Sequence, residues 1–238
     1  MQTLDATLLL SLNDLAHRSW TFDAFVLLLA ETPLLKGGVL VALLWWTWER
    51  AGAERPAPPA VLTLLGVLAA VAVTRMMQNW LPARPRPLFD PALDAAGFVL
   101  PYEVPPGVLR DWSSFPSDTA GLAFAVATAV FLAHRGAGAF AYAWSLVVIC
   151  LPRVYAGFHY PSDILGGAAV GIGAMAAAAR LPVPSRVVAA MARLEHTRRG
   201  WLYAGLFLLT YQMATVFADA RNLAGFAAHT LSAVWHRL

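Results

Sequence analysis

Three short segments hold the residues best suited to chemistry. They are Asn79-Trp-Leu-Pro-Ala-Arg-Pro-Arg86-Pro87, Pro116-Ser117-Asp118-Thr119 and Arg153-Val-Tyr-Ala-Gly-Phe-His159-Tyr-Pro-Ser-Asp163. In the third, His159 and Asp163 are four residues apart, so they share one face where a helix begins. A carboxylate on one imidazole nitrogen fixes the tautomer and leaves the other nitrogen free to attack an electrophile. Arg153 lies six residues before His159, and its planar fork matches two oxygens of a phosphate. Taken alone, a His/Asp pair at a helix start is also a common structural device. An arginine beside it favours phosphate chemistry.

The second segment is a helix start. Ser117 is a natural N-cap, and the free backbone N–H groups of the following turn suit an anion. Simple capping explains the same residues, with Asp118 in the first turn because the helix dipole favours it there. In the first segment Arg84 and Arg86 alternate with prolines. They read either as a rigid loop entry or as a phosphate clamp on an extended backbone.

The elements that must position these groups are membrane spans. The 238 residues are 59% apolar and only 13% charged, about half the charge usual in soluble domains. That excludes a disordered chain, a coiled coil and a disulfide scaffold. Continuous apolar runs argue against a transmembrane barrel. With about 20 residues per span, the expected fold is all-α: a polytopic bundle of about six transmembrane helices at 33–49, 60–80, 117–134, 138–153, 161–180 and 200–219. These spans form one membrane domain over 1–220, and a polar-tipped C-terminal helix follows at 221–238. The N-terminus reads as no cleavable signal, because its first charge is Asp5 and no basic region precedes an apolar core. Residues 4–17 are expected to form an interfacial amphipathic helix, and 181–199 a basic loop with a short helix. Residues 81–116 carry eight prolines, and a loop of that length is usually functional or disordered. Gly167 and Gly171 permit close helix contact.

Charge sorting gives an orientation. Of 17 basic residues only Lys36 is lysine. Six spans put Arg50, Arg55, Arg135, Arg180, Arg186, Arg193, Arg198 and Arg199 on one side, which the positive-inside rule makes cytoplasmic. The three chemical segments then share the outer face, where Arg84, Arg86, Arg110 and Arg153 oppose the rule. A net charge of +3 is too small and dispersed for a nucleic-acid surface. The other histidines, His17, His134, His196, His229 and His236, fall in predicted surface stretches. No His/Cys/Asp cluster has metal spacing, and Cys150 has no intrachain disulfide partner.

With these residues in place, the chain resembles the PAP2 superfamily, the type 2 phosphatidic acid phosphatases. The family's signatures are Lys-x6-Arg-Pro, Pro-Ser-Gly-His and Ser-Arg-x5-His-x3-Asp. Arg86 matches the first, Ser117 the second, and Arg153, His159 and Asp163 the third. The resemblance implies a membrane lipid phosphatase of the bacterial inner membrane, with its site facing the periplasm or exterior. His159 would be the nucleophile, Asp163 its orienter, and Arg86, Ser117 and Arg153 the phosphate contacts. It implies neither metal nor cofactor. The departures are Asn79 for the lysine, Asp118 for the glycine, Thr119 for the acid histidine and Pro152 for the serine. Asp118 is familiar from undecaprenyl-diphosphate phosphatases of this superfamily. Arg75, one turn before Asn79, could reach the vacant cation position, and Asp118 could serve as acid if burial raised its pKa. The implied substrate is a lipid phosphate or diphosphate in the bilayer. A polyprenyl diphosphate is favoured, because its leaving group needs an acid least. The alternatives are a phosphotransferase to a non-water acceptor, or a weakened PAP2 fold that binds lipid phosphates or a partner membrane protein.

Overall fold

The computed structural model describes residues 2–50, 60–102, 104, 109 and 112–219. The expected C-terminal helix, Arg55, Arg110, His229 and His236 lie outside the described residues. All regular structure among the described residues is helical. Contact clustering gives two units, Met1–Pro182 and Val183–Leu238.

The first unit is built on α4 (Ala60–Trp80), the short α5 (Pro91–Ala95), α6 (Asp118–Ala133), a helix made of α7 (Arg135–Trp144), a π-helical stretch (Ser145–Cys150) and α8 (Leu151–Tyr155), and α9 (Pro161–Ala178). α6 is its core. Residues 118–130 are all buried except Phe124, because α4, α7 and α9 all pack around it. A helix apolar on every side is stable only in such surroundings.

Small residues set the closest approach, as the Gly167–Gly171 spacing predicts. A Cβ on Gly167 would lie 2.2 Å from the Ser117 carbonyl oxygen, and one on Gly171 would lie 2.2 Å from that of Gly121. Both obstacles are backbone, so α6 and α9 would have to separate. Gly171→Ala should therefore cost about 1–3 kcal/mol, read as a lower Tm of the detergent-solubilised chain than wild type.

Among the described residues, three helices are long and apolar enough to cross a membrane: Ala60–Trp80, Arg135–Tyr155 and Pro161–Ala178. A fourth candidate is a bent pair, α2 (Trp20–Glu31) with Leu34–Arg50, which meet at 58°. The latter comprises a π-helical turn (Leu34–Gly38) and α3 (Val39–Arg50). The six expected spans thus become three, or four with the bent pair, among the described residues. The expected third span, α6, has only 16 residues. In the second unit, α10 (Ser185–Ala214) extends the short helix expected within 181–199 into the expected span at 200–219, with non-helical backbone at Arg198.

The helix directions decide where the site forms. α4 ends, α6 begins, α8 ends and α9 begins at the same end of the bundle. The starts of α4 and α7 and the end of α9 lie at the other, with Arg135 and Arg180. α1 (Gln2–Asn13) joins the site end instead of presenting its polar residues to an interface. Asp5 and Asn13 are buried, and the Asn13 side chain bonds both backbone groups of Val99. α2 is fastened nearby: the Tyr155 hydroxyl donates to Asp23 at 2.5 Å.

Candidate active site

His159 lies in the turn between α8 and α9 and is fully buried. Its Nδ1 is 3.0 Å from the Ser114 carbonyl oxygen and 3.7 Å from Asp163 Oδ2. Both neighbours only accept, so Nδ1 carries the proton. Nε2 is 3.2 Å from Arg86 Nη1. A guanidinium only donates, so Nε2 presents its lone pair. Two independent contacts thus select the same tautomer, with the unprotonated nitrogen facing a cation.

Asp163 is itself held on several sides. It accepts from the Tyr160 N–H at 2.7 Å, from Arg84 Nη1 at 2.7 Å and from the Ser114 hydroxyl. Such a carboxylate can stabilise a positive imidazole without moving. Ser114 therefore contacts the pair twice, by its carbonyl to His159 and its hydroxyl to Asp163.

Burial pushes the His159 pKa down to about 4. Asp163 opposes the shift, while Arg153 and Arg86 reinforce it. The imidazole is therefore neutral at physiological pH. A reaction that uses the unprotonated Nε2 should keep its rate from pH 7 to about 5 and lose it as His159 protonates near pH 4, which a pH–rate profile will read. The sign for stability is the same. An unfolded histidine takes its proton near 6.5 and the folded one only near 4, so this group makes the fold less stable as pH falls between those values.

Arg86 and Arg153 are both buried. Arg86 donates to the Phe158 carbonyl at 2.6 Å and reaches Nε2, yet its own Nε has no partner. Burial, and then repulsion from Arg153, brings its pKa down to about 10, so it remains charged. Arg153 likewise has an unpartnered Nε, and Nη1 makes only a loose 3.8 Å pair with Glu31. Buried guanidinium N–H groups without acceptors are costly unless an anion completes them.

The structure separates Arg84 from Arg86. Arg84 is clamped between Asp5 and Asp163, donates to Ser162, and lies 3.9 Å over the Tyr160 ring. The backbone at Arg86 is extended, and residues two apart on a three-residue turn point in different directions. Arg84 is thus engaged by two carboxylates, whereas Arg86 turns to His159. Arg75 and Asp118 also find each other, at 2.6 Å, and Arg75 lies over Trp112. Arg75 is therefore committed to Asp118, and an ion-paired carboxylate has no proton to give. Ser117 caps α6, accepting from the Ala120 N–H at 3.3 Å. Thr119 is buried beside Asp118, and Asn79 is exposed. Its neighbour Gln78 is the buried one and donates to the Pro116 carbonyl.

Sequence reading missed Ser114, Asp5, Gln78, Glu31 and Lys36. Only Lys36 carried a signal, as the sole lysine, set inside an apolar run. Among the described residues no group of three or more His, Cys, Asp or Glu could hold a metal ion.

Apolar helices around a buried, singly protonated histidine flanked by guanidiniums define a helical membrane protein suited to phosphate. Residues 59–187, more than half of the chain, match the PAP2 superfamily, and the chain belongs to it. The crystal structure of Aquifex aeolicus LpxE is similar, with a TM-score of 0.51 and 25% identity. That match covers 74% of this chain and 94% of the other. No curated protein matches. Family and likeness together support a membrane lipid phosphatase of PAP2 type.

Proposed function

We propose that this chain cleaves a lipid diphosphate, with a polyprenyl diphosphate as the preferred class, through a phosphohistidine on His159. Nε2 attacks the terminal phosphorus, and the bond from phosphorus to the bridging oxygen breaks. That bond's electron pair leaves on the bridging oxygen as lipid monophosphate. Asp163 and the Ser114 carbonyl, both on the Nδ1 side, stabilise the positive imidazole. Arg86 shifts from Nε2 to the phosphoryl oxygens, joined by Arg153, with Ser117 and the first turn of α6 beside them. Water then attacks phosphorus, the P–Nε2 bond breaks, and phosphate leaves with His159 restored. An acceptor hydroxyl in place of water would give a phosphotransferase from the same intermediate. The site faces the outer leaflet of a bacterial inner membrane, opposite the arginine-rich ends.

The observation that carries this reading is the tautomer: Nε2 is held unprotonated among buried cations. The leaving group decides the substrate class. Thr119 offers no acid, and general acids contribute about 10²–10⁴-fold. An alkoxide needs that help, whereas a phosphate monoester, with a second pKa of about 6, does not. The purified chain should release phosphate from a polyprenyl diphosphate at least about 10²-fold faster than from phosphatidic acid. Equal rates would defeat the diphosphate assignment. No release from any lipid phosphate would favour the reading as a weakened fold that binds lipid phosphates or a partner.

A further inference from the structure

The chain's single lysine does not lie with the arginines of the opposite end. Lys36 sits in the π-helical turn after the α2–α3 break, and such turns often mark functional sites. Its Nζ is 3.8 Å from Glu31 Oε2. The other carboxylate oxygen, Oε1, is 3.8 Å from Arg153 Nη1. One carboxylate thus bridges two cations that come from different ends of the sequence. The lysine and arginine side chains are only 14% and 9% exposed, while that of Glu31 is 62% exposed. Lys36 also interacts electrostatically with Arg153 and Asp118.

The charges around the histidine do not cancel. Arg75 is matched by Asp118, and Arg84 is shared by Asp5 and Asp163. Five cations, Arg86, Arg153 and Lys36 among them, thus stand against four carboxylates, so the cluster carries one positive charge with Glu31 in place and two once Glu31 leaves. An anion of charge −2 that takes the place of the loosely held Glu31 therefore neutralises the cluster and meets three poorly hydrated cations. Carboxylate and phosphate both present paired oxygens to such a fork.

We propose that Lys36 is a third phosphate-binding cation, and that Glu31 holds the cradle until the phosphate displaces it. The ligand is a terminal phosphate, whether on a lipid or free. This rests on the reading of the His159 cluster as a phosphate site, but it does not require turnover. The bend between α2 and α3 thereby becomes part of the site. Binding replaces two 3.8 Å contacts by direct ones and moves the exposed carboxylate toward solvent.

The test has two arms on the full chain in detergent. Calorimetric titration with inorganic phosphate reads the cradle alone, and KM for a polyprenyl diphosphate reads the lipid. Lys36→Met should weaken phosphate binding about tenfold or more, as expected for a lost charge-assisted contact. It should raise KM by a similar factor, with a smaller change in kcat. Lys36→Arg should recover most of both, since it restores the charge. Glu31→Gln should tighten phosphate binding, because the internal competitor loses its charge. Wild-type affinity in Lys36→Met, or no recovery in Lys36→Arg, overturns the assignment of Lys36. Weaker or unchanged phosphate binding in Glu31→Gln overturns the placeholder role. A wild-type chain that binds no phosphate overturns the cradle. A chain that binds phosphate through Lys36 yet releases none from any lipid overturns only the enzymatic reading.

Discussion

His159→Ala abolishes phosphate release, by on the order of 10⁴-fold or more, as is typical when the nucleophile of a covalent mechanism is removed. Two observations set that expectation. Among the described residues, Nε2 of His159 is the histidine nitrogen placed against Arg86 and the proposed phosphate cradle. Among the described residues the nearby hydroxyls are occupied: Ser117 Oγ is engaged as a cap, and Thr119 lies beside a carboxylate. Asp163→Asn should also be severe, about 10²–10⁴-fold in kcat, because an amide can donate toward Nδ1 and favour the wrong tautomer. Its KM should change little, since Asp163 faces the far side of the ring from the phosphate. The intermediate gives a direct readout. Substrate carrying labelled terminal phosphate should leave label on wild-type protein quenched in alkali, and none on His159→Ala. Label retained by the alanine variant would place the nucleophile elsewhere. Inorganic phosphate binding by His159→Ala separates lost chemistry from lost fold, because Arg86, Arg153 and Lys36 remain.

Much of this site was legible because its parts are local. His159 and Asp163 are one helical turn apart, Arg153 ends the preceding helix, and Ser117 caps the next. Spacing alone places such residues, and the long apolar runs put them at one end of a bundle. What spacing could not give was tertiary. The acceptor nearest His159 Nδ1 is the backbone carbonyl of Ser114, a group every residue possesses. Asp5 reaches Arg84 and Ser162 across most of the chain. Arg84 and Arg86 look equivalent in sequence and part only because the extended backbone turns them to different partners. Arg75 and Asp118 each looked free for chemistry until their pairing used both. Of the six expected spans, three, or four with the bent pair, pass by length and apolarity among the described residues. α6 is too short by length, yet it is the most enclosed helix of the first unit, and its apolarity reflects burial by neighbouring helices. Lys36 was the one visible anomaly, and only the fold supplies its partners.

Thr119→His supplies the missing acid and should narrow the gap between substrates. Thr119 is the second residue of α6, buried beside the Arg75–Asp118 pair, at the end of the bundle where His159 sits. An imidazole there adds a proton donor near the leaving oxygen. The benefit depends on that oxygen. For phosphatidic acid the leaving group is an alkoxide, and cleavage should accelerate by about 10- to 100-fold, within the usual range for a general acid. For a polyprenyl diphosphate the leaving group is already a weak base, so its rate should change by less than about threefold. The ratio of the two rates is the decisive quantity, because a nonspecific loss of fold lowers both together and leaves it unchanged. The new acid should also add an alkaline limb to the phosphatidic acid profile, falling as the imidazole loses its proton, while the acid limb near pH 4 from His159 persists. Equal acceleration of both substrates would mean that the acid assists a step they share, such as attack of water on the phosphohistidine. Diphosphate preference would then have to come from the lipid pocket and the charge of the cradle rather than from the residue at position 119.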